Sequence, residues 1–79
     1  MEKQVIFEKL MVIIKSINPN AMINESTALK GESVLDSLEF MNYLTKVEEA
    51  FSIKITDAEI SYFQLGIIKN MINYINSKG

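Results

Sequence analysis

Residues 36–52 combine a helix-start signature with apolar residues at helical spacing. Asp36 suits the N-cap position because its carboxylate can accept a hydrogen bond from a free backbone N–H of the first turn. Glu39 follows three residues later, which is the spacing of a capping box. The apolar residues that repeat three and four positions apart behind it are Phe40, Tyr43, Leu44, Val47 and Phe51. The pattern predicts an amphipathic helix that begins after Asp36 and ends near Ser52.

Three further segments carry helical patterns. Residues 2–17 predict a first helix that ends at Asn18-Pro19, because proline disfavours the α conformation in the residue before it. Thr56 and Glu59 form a second capping-box spacing and predict a short helix to about Tyr62. A last helix is predicted near residues 66–77, with Lys78-Gly79 suited to its C-terminus. Because 79 residues allow one small domain, the predicted fold is a single all-α domain over 1–79, a four-helix bundle with three longer helices and one short helix.

Apolar residues outside residues 36–52 complete the predicted core. The first helix contributes Ile6, Leu10, Ile13, Ile14 and Ile17, and the last contributes Ile68, Met71, Ile72 and Ile75. Ile67 and Tyr74 are predicted at the margin of the last stripe. In the long connection of residues 18–35, Ile23 and Leu29 are predicted to pack against the core, with Val34 as a third candidate. Ile53 and Ile55 alternate with polar residues, and we expect an extended connection that buries both side chains.

The composition excludes several kinds of chemistry. The sequence contains no cysteine, which excludes disulfides and fits a reducing compartment. It contains no histidine, which excludes serine–histidine catalysis and the common zinc sites. No apolar run is long enough to span a membrane, and the N-terminus lacks a secretory pattern. These features predict a cytoplasmic protein that is not an enzyme and holds no metal.

Charge is distributed unevenly along the chain. Residues 36–59 contain six acids and two lysines, a net charge of −4, whereas the other residues have a net charge of +2. A nucleic-acid surface needs clustered basic side chains, so the acidic region argues against one there. The same region favours basic partners, although a charged face is usually solvated surface.

Ser37 would occupy the first position of the helix behind Asp36, with its hydroxyl free. Because a helix N-terminus favours negative charge, the pattern would suit a phosphate ester on this serine. Helix caps of this kind are common, however, so the local pattern alone favours Asp36-Ser37 as only a helix cap. A second set of residues repeats off the main stripe: Leu38, Met41, Thr45 and Glu48. This set predicts either a contact surface or a widened core face.

Four segments, taken in order, resemble the acyl carrier proteins and the related peptidyl and aminoacyl carriers over essentially the whole chain. They are Asp36-Ser37-Leu38, Val47-Glu48-Glu49-Ala50-Phe51, Ile53-Lys54-Ile55-Thr56-Asp57 and Asn73-Tyr74-Ile75-Asn76. The resemblance implies that Ser37 carries 4′-phosphopantetheine, transferred from coenzyme A by a phosphopantetheinyl transferase that uses Mg²⁺. Asp36 would assist this modification near the metal. The arm would carry acyl or aminoacyl groups as thioesters between the enzymes of fatty-acid, polyketide or non-ribosomal peptide biosynthesis.

The resemblance also implies a monomer that binds its partners mainly through the helix after the serine. The residues assigned to that surface are Leu38, Glu39, Met41, Asn42, Thr45, Glu48 and Glu49. Ser33-Val34-Leu35 stands where the family often has a glycine, and this helix is less acidic than in typical fatty-acid carriers. The cargo therefore stays open, including a D-alanyl type of aminoacyl carrier for the cell envelope. A helical interaction module without a prosthetic group is the alternative.

Overall fold

The computed structural model describes residues 1–78 and contains four α-helices within that range. They are α1 (Lys3–Ile17), α2 (Ser37–Phe51), α3 (Asp57–Tyr62) and α4 (Ile68–Lys78). No strand occurs in the described residues; the sole β-type pairing among them is an isolated bridge between Ala28 and Ile67. The all-α prediction is confirmed, with helix ends within about two residues of those expected. Gly79, predicted to follow the last helix, lies outside the described residues.

The core forms where α1 packs against both α2 and α4. The buried residues of α1 are Ile6, Leu10 and Ile14, those of α2 are Phe40, Tyr43, Leu44 and Val47, and those of α4 are Ile68, Met71, Ile72, Tyr74 and Ile75. Their three- and four-residue spacing places each set on one side of its helix. Half-buried Ile13, Ile17 and Phe51 border this core. The predicted stripes are therefore correct, with three members at the edge of the core.

The prediction for Tyr74 is wrong, because this residue lies in the core and not at its margin. Its side chain is only 5% exposed. Its hydroxyl donates a hydrogen bond of 3.2 Å to the carbonyl oxygen of Lys54. Because Lys54 lies in the non-helical connection between α2 and α3, its carbonyl oxygen is not used in a helix and can accept the hydrogen bond of the Tyr74 hydroxyl. Three buried apolar residues were also absent from the predicted core: Ala21, Leu35 and Leu65.

The connection between α1 and α2 satisfies the free N–H groups at the start of α4. The N–H of Ile68 donates to the carbonyl of Thr27 at 3.0 Å, and the N–H of Lys69 donates to that of Glu25 at 2.8 Å. In the same connection, fully buried Leu29 donates its own N–H to the carbonyl of Gly66 at 2.9 Å. The first-turn N–H groups of a helix need such partners. The connection is therefore fixed to α4 before it reaches α2.

Three turns of the chain end with a non-glycine residue in the left-handed conformation. The three residues are Ser33, Ser52 and Gln64, with φ of 59°, 54° and 51°. Each is followed by an apolar residue whose N–H donates to the carbonyl five positions earlier. These bonds join Val34 to Leu29 at 2.8 Å, Ile53 to Glu48 at 3.1 Å and Leu65 to Ile60 at 3.1 Å. A left-handed residue, followed by an apolar residue whose N–H bonds to the carbonyl five positions earlier, is typical of the Schellman motif that ends a helix or turn.

Candidate functional site

The start of α2 is fixed by a reciprocal pair of hydrogen bonds. Asp36 accepts the N–H of Glu39 on Oδ1 at 2.8 Å, and Glu39 accepts the N–H of Asp36 on Oε1 at 2.9 Å. This is the predicted capping box. Ser37 is consequently the first residue of α2 and is exposed. Within residues 1–78 its hydroxyl has no hydrogen-bond partner, so the oxygen is accessible from solvent.

A groove of about 330 Å³ lies beside Ser37. Its lining consists of Lys30, Ser33, Leu35, Asp36, Ser37 and Glu39. Lys30 supplies the cation of this lining, and its Nζ lies 5.8 Å from the centre of the Phe40 ring. Among the described residues, no acceptor pairs with the backbone N–H groups of Ser37 and Leu38. The groove therefore places hydrogen-bond donors, a positive charge and two carboxylates around one accessible hydroxyl.

The outer face of α2 exposes two large apolar side chains next to Ser37. Leu38 is 83% exposed and Met41 is 59% exposed, whereas neighbouring Phe40 and Tyr43 are buried. Thr45 lies one turn beyond Met41, and its hydroxyl donates to the Met41 carbonyl at 3.2 Å. The widened-core interpretation is thus wrong for Leu38 and Met41. Their use as a contact surface, together with exposed Asn42, stays a prediction.

The acids assigned to the partner surface do not form one uniform group. Glu39 is engaged in the capping box, and half-buried Glu48 accepts the N–H of Ile55 on Oε2 at 2.8 Å. Glu49 is exposed and, within residues 1–78, makes no side-chain hydrogen bond. Sequence reasoning missed the structural role of Glu48, because its partner lies seven residues away in an irregular connection that has no periodic signature. Glu49 is therefore the predicted acid that is freest to meet a partner.

Tyr43 is a polar residue in the centre of the core. Its side chain is fully buried, and its hydroxyl has no hydrogen-bond partner among the described residues. Burial raises the pKa of Tyr43 above the ordinary value of 10.0, because the ionised phenolate cannot be hydrated there. Apolar spacing placed this residue in the core correctly, but spacing carries no information about the hydroxyl.

A larger groove, of about 460 Å³, lies between α3 and α4. Phe63, Tyr74 and Asn73 contribute to its walls, and the Lys78 ammonium lies 3.5 Å from the Glu59 carboxylate at its edge. A backbone hydrogen bond at Thr56 is the main reason why the pKa of Glu59 is lowered. The sequence singled out no residue here as functional. In the sequence, the spacing of the aromatic residues in this region does not distinguish them from ordinary core residues.

Among residues 1–78, no three histidine, cysteine, aspartate or glutamate side chains form a group that could hold a metal ion. The helices in this range are all too short or too polar to cross a membrane. Comparison of the chain with protein-family models, with curated proteins and with solved structures finds no match.

Proposed function

We propose that Ser37 is the attachment site of 4′-phosphopantetheine and that the chain is a carrier protein of the acyl carrier type. The observation that carries this proposal is the exposed hydroxyl of Ser37 at the first position of α2, directly behind the Asp36–Glu39 capping box. The resemblance in sequence adds the expectation that four helices of this order form an acyl-carrier-like bundle. We place such a carrier in the cytoplasm as a monomer.

The residues around Ser37 fit a phosphate ester. Unpaired backbone N–H groups at a helix N-terminus and the Lys30 ammonium suit its negative charge. The groove offers about 330 Å³ beside the hydroxyl. When attached, the arm would supply the thiol on which acyl or aminoacyl groups travel as thioesters, in a chain that has no cysteine. The space, the backbone donors and the Lys30 ammonium at the site are thus compatible with this group.

Ser37 needs help from another protein to react. A serine hydroxyl becomes a nucleophile only when a base removes its proton, and the chain has no histidine. A phosphopantetheinyl transferase would supply the activation, with coenzyme A as donor. Asp36 uses Oδ1 for the cap, which leaves its other oxygen for the Mg²⁺ that such an enzyme brings. Asp36 would therefore act both as a cap and in modification.

The exposed face of α2 would receive the partner enzymes. Leu38 and Met41 supply its apolar part, and apolar contact at a binding surface concentrates in a few central residues. Glu49 supplies charge at the rim, where it would act mainly on association rate. Fatty acyl, polyketide, peptidyl and aminoacyl cargo, including D-alanyl, are all compatible with this arrangement.

Intact-mass measurement after coexpression with a broad-specificity transferase tests the proposal. The wild-type protein should gain one phosphopantetheine, and Ser37→Ala should gain none while keeping its helical circular dichroism. Ser61→Ala is the matched control, because Ser61 is another exposed serine on a helix. The proposal is wrong if the wild type stays unmodified or if Ser37→Ala is modified as well. An unmodified wild type that still binds a partner through Leu38 and Met41 would indicate the interaction module.

A further inference from the structure

We propose that Lys30 is a positioning residue that holds the phosphodiester of the Ser37-linked arm within the groove beside α2. The inference rests on the proposed function, because it concerns the group that Ser37 would carry. It assigns a role to a residue of the α1–α2 connection, outside α2 itself. The ligand chemistry that Lys30 would recognise is a phosphodiester with one negative charge.

The carboxylates that line the groove give a nearby cation a role. Asp36 and Glu39 contribute carboxylates to the same lining as Ser37, and both would repel a phosphodiester. One oxygen of each carboxylate accepts a hydrogen bond in the capping box, which fixes both acids at the helix start. Lys30 contributes the positive charge of the lining. A phosphodiester on Ser37 would therefore be drawn toward the Lys30 side of the groove.

Lys30 is available for this contact. Within residues 1–78 its ammonium forms no ion pair, although two carboxylates line the same groove. Its Nζ lies over the Phe40 ring, 5.8 Å from the ring centre, which is within the range of a cation–π contact. Lys30 thus lines the same groove as Ser37, and within residues 1–78 its ammonium is not paired with a carboxylate.

The backbone that carries Lys30 is fixed on both sides. Leu29 is fully buried and donates its N–H to the Gly66 carbonyl at 2.9 Å. The Leu29 carbonyl accepts the N–H groups of Val34 at 2.8 Å and Leu35 at 3.1 Å. The Lys30 carbonyl itself accepts the N–H of Ser33 at 3.1 Å. Lys30 therefore projects from a turn that is fastened to the core.

A thermodynamic cycle between the arm and the lysine tests the proposal. Lys30→Met keeps an unbranched side chain at this position and removes the charge. Lys9→Met is the matched control, because Lys9 Nζ lies 5.7 Å from the centre of the Phe51 ring near the other end of α2. The unfolding equilibrium of each variant is measured by urea denaturation with and without the arm on Ser37. The quantity compared is the change in the unfolding constant that the arm produces in each variant.

We expect the arm to favour the folded state more in the wild type than in Lys30→Met, by about 1.5- to fivefold, the range of an exposed ion pair. Lys9→Met should match the wild type, Lys30→Arg should keep the effect, and Lys30→Glu should reverse it. The difference should shrink as salt is added. The ³¹P resonance of the arm, which does not depend on any enzyme, should shift in Lys30→Met and not in Lys9→Met.

The possible failures are distinguishable. If the wild type takes up the arm but Lys30→Met and Lys9→Met respond alike, the role of Lys30 is wrong and the proposed function stands. If the wild type does not take up the arm, the proposed function is wrong and the role of Lys30 falls with it. If Lys30→Met does not fold, Lys30→Arg and Lys30→Gln decide by the same comparison.

Discussion

Tyr43→Phe should stabilise the protein. Within residues 1–78 the buried Tyr43 hydroxyl has no hydrogen-bond partner, so folding breaks its hydrogen bonds to water without forming a new one. Such a group costs roughly 1–3 kcal/mol, and phenylalanine keeps the ring while removing this cost. We expect the free energy of unfolding to rise by about 1 kcal/mol or more. For a domain of this size, 1 kcal/mol corresponds to roughly 4–8 °C in melting temperature.

Tyr74→Phe is the matched control, for which we expect the free energy of unfolding to change in the opposite direction. The Tyr74 hydroxyl donates to the Lys54 carbonyl at 3.2 Å, so its removal leaves that carbonyl without this donor. We expect a loss of roughly 1 kcal/mol. Urea denaturation near neutral pH measures both variants under the same conditions. If Tyr43→Phe is as destabilising as Tyr74→Phe, the Tyr43 hydroxyl has a partner, such as an enclosed water, and the reasoning is refuted.

The pH dependence offers a second measurement on the same variant. The folded protein holds the Tyr43 proton more tightly than the unfolded chain does, because burial raises its pKa above 10.0. This group therefore leaves the free energy of unfolding unchanged with pH below 10.0 and lowers it as the pH rises above that value, because only the unfolded chain can then release the proton. One such group changes the free energy of unfolding by at most about 1.4 kcal/mol per pH unit. Tyr43→Phe should remove this slope and leave the smaller contribution of Tyr74, whose pKa is also raised, mainly by burial.

Three further predictions concern α2. Leu38→Ala and Met41→Ala should each change the free energy of unfolding by less than about 0.5 kcal/mol, because both side chains are exposed. Val47→Ala should lower it by roughly 2 kcal/mol, because Val47 is buried. Thermal denaturation of the three variants checks this, and equal losses would contradict it. The first two variants should nevertheless slow transferase kinetics, and unchanged kinetics would argue against a contact surface. Asp36→Ala should cost about 1 kcal/mol by loss of the cap and should also slow modification of the adjacent serine; wild-type melting together with a wild-type rate would show that Asp36 has neither role.

The sequence predicted those features of the fold that depend on neighbours along the chain. Both capping boxes were found because donor and acceptor lie three residues apart, as at Asp36 and Thr56. The features that were missed depend on residues distant in sequence. The hydroxyl of buried Tyr74 donates to a carbonyl twenty residues earlier, and the Glu48 carboxylate accepts an N–H seven residues later. The candidate site follows the same division. The capping-box spacing placed Ser37 at the first position of α2, whereas only the folded chain brings Lys30 to the groove beside it.

The three left-handed turns have a consequence for how cooperatively the protein unfolds. Serine and glutamine have no intrinsic preference for the left-handed conformation, which costs an ordinary residue roughly 1–2 kcal/mol. Neither of the two glycines in residues 1–78, Gly31 and Gly66, occupies one of these positions. Each ending must instead be stabilised by the apolar residue that follows it, and Val34, Ile53 and Leu65 all contact the core. The left-handed conformation at these three positions is therefore stabilised by packing against the core and not by the preference of the local sequence. We infer that the three turns form and unfold together with the core in one transition.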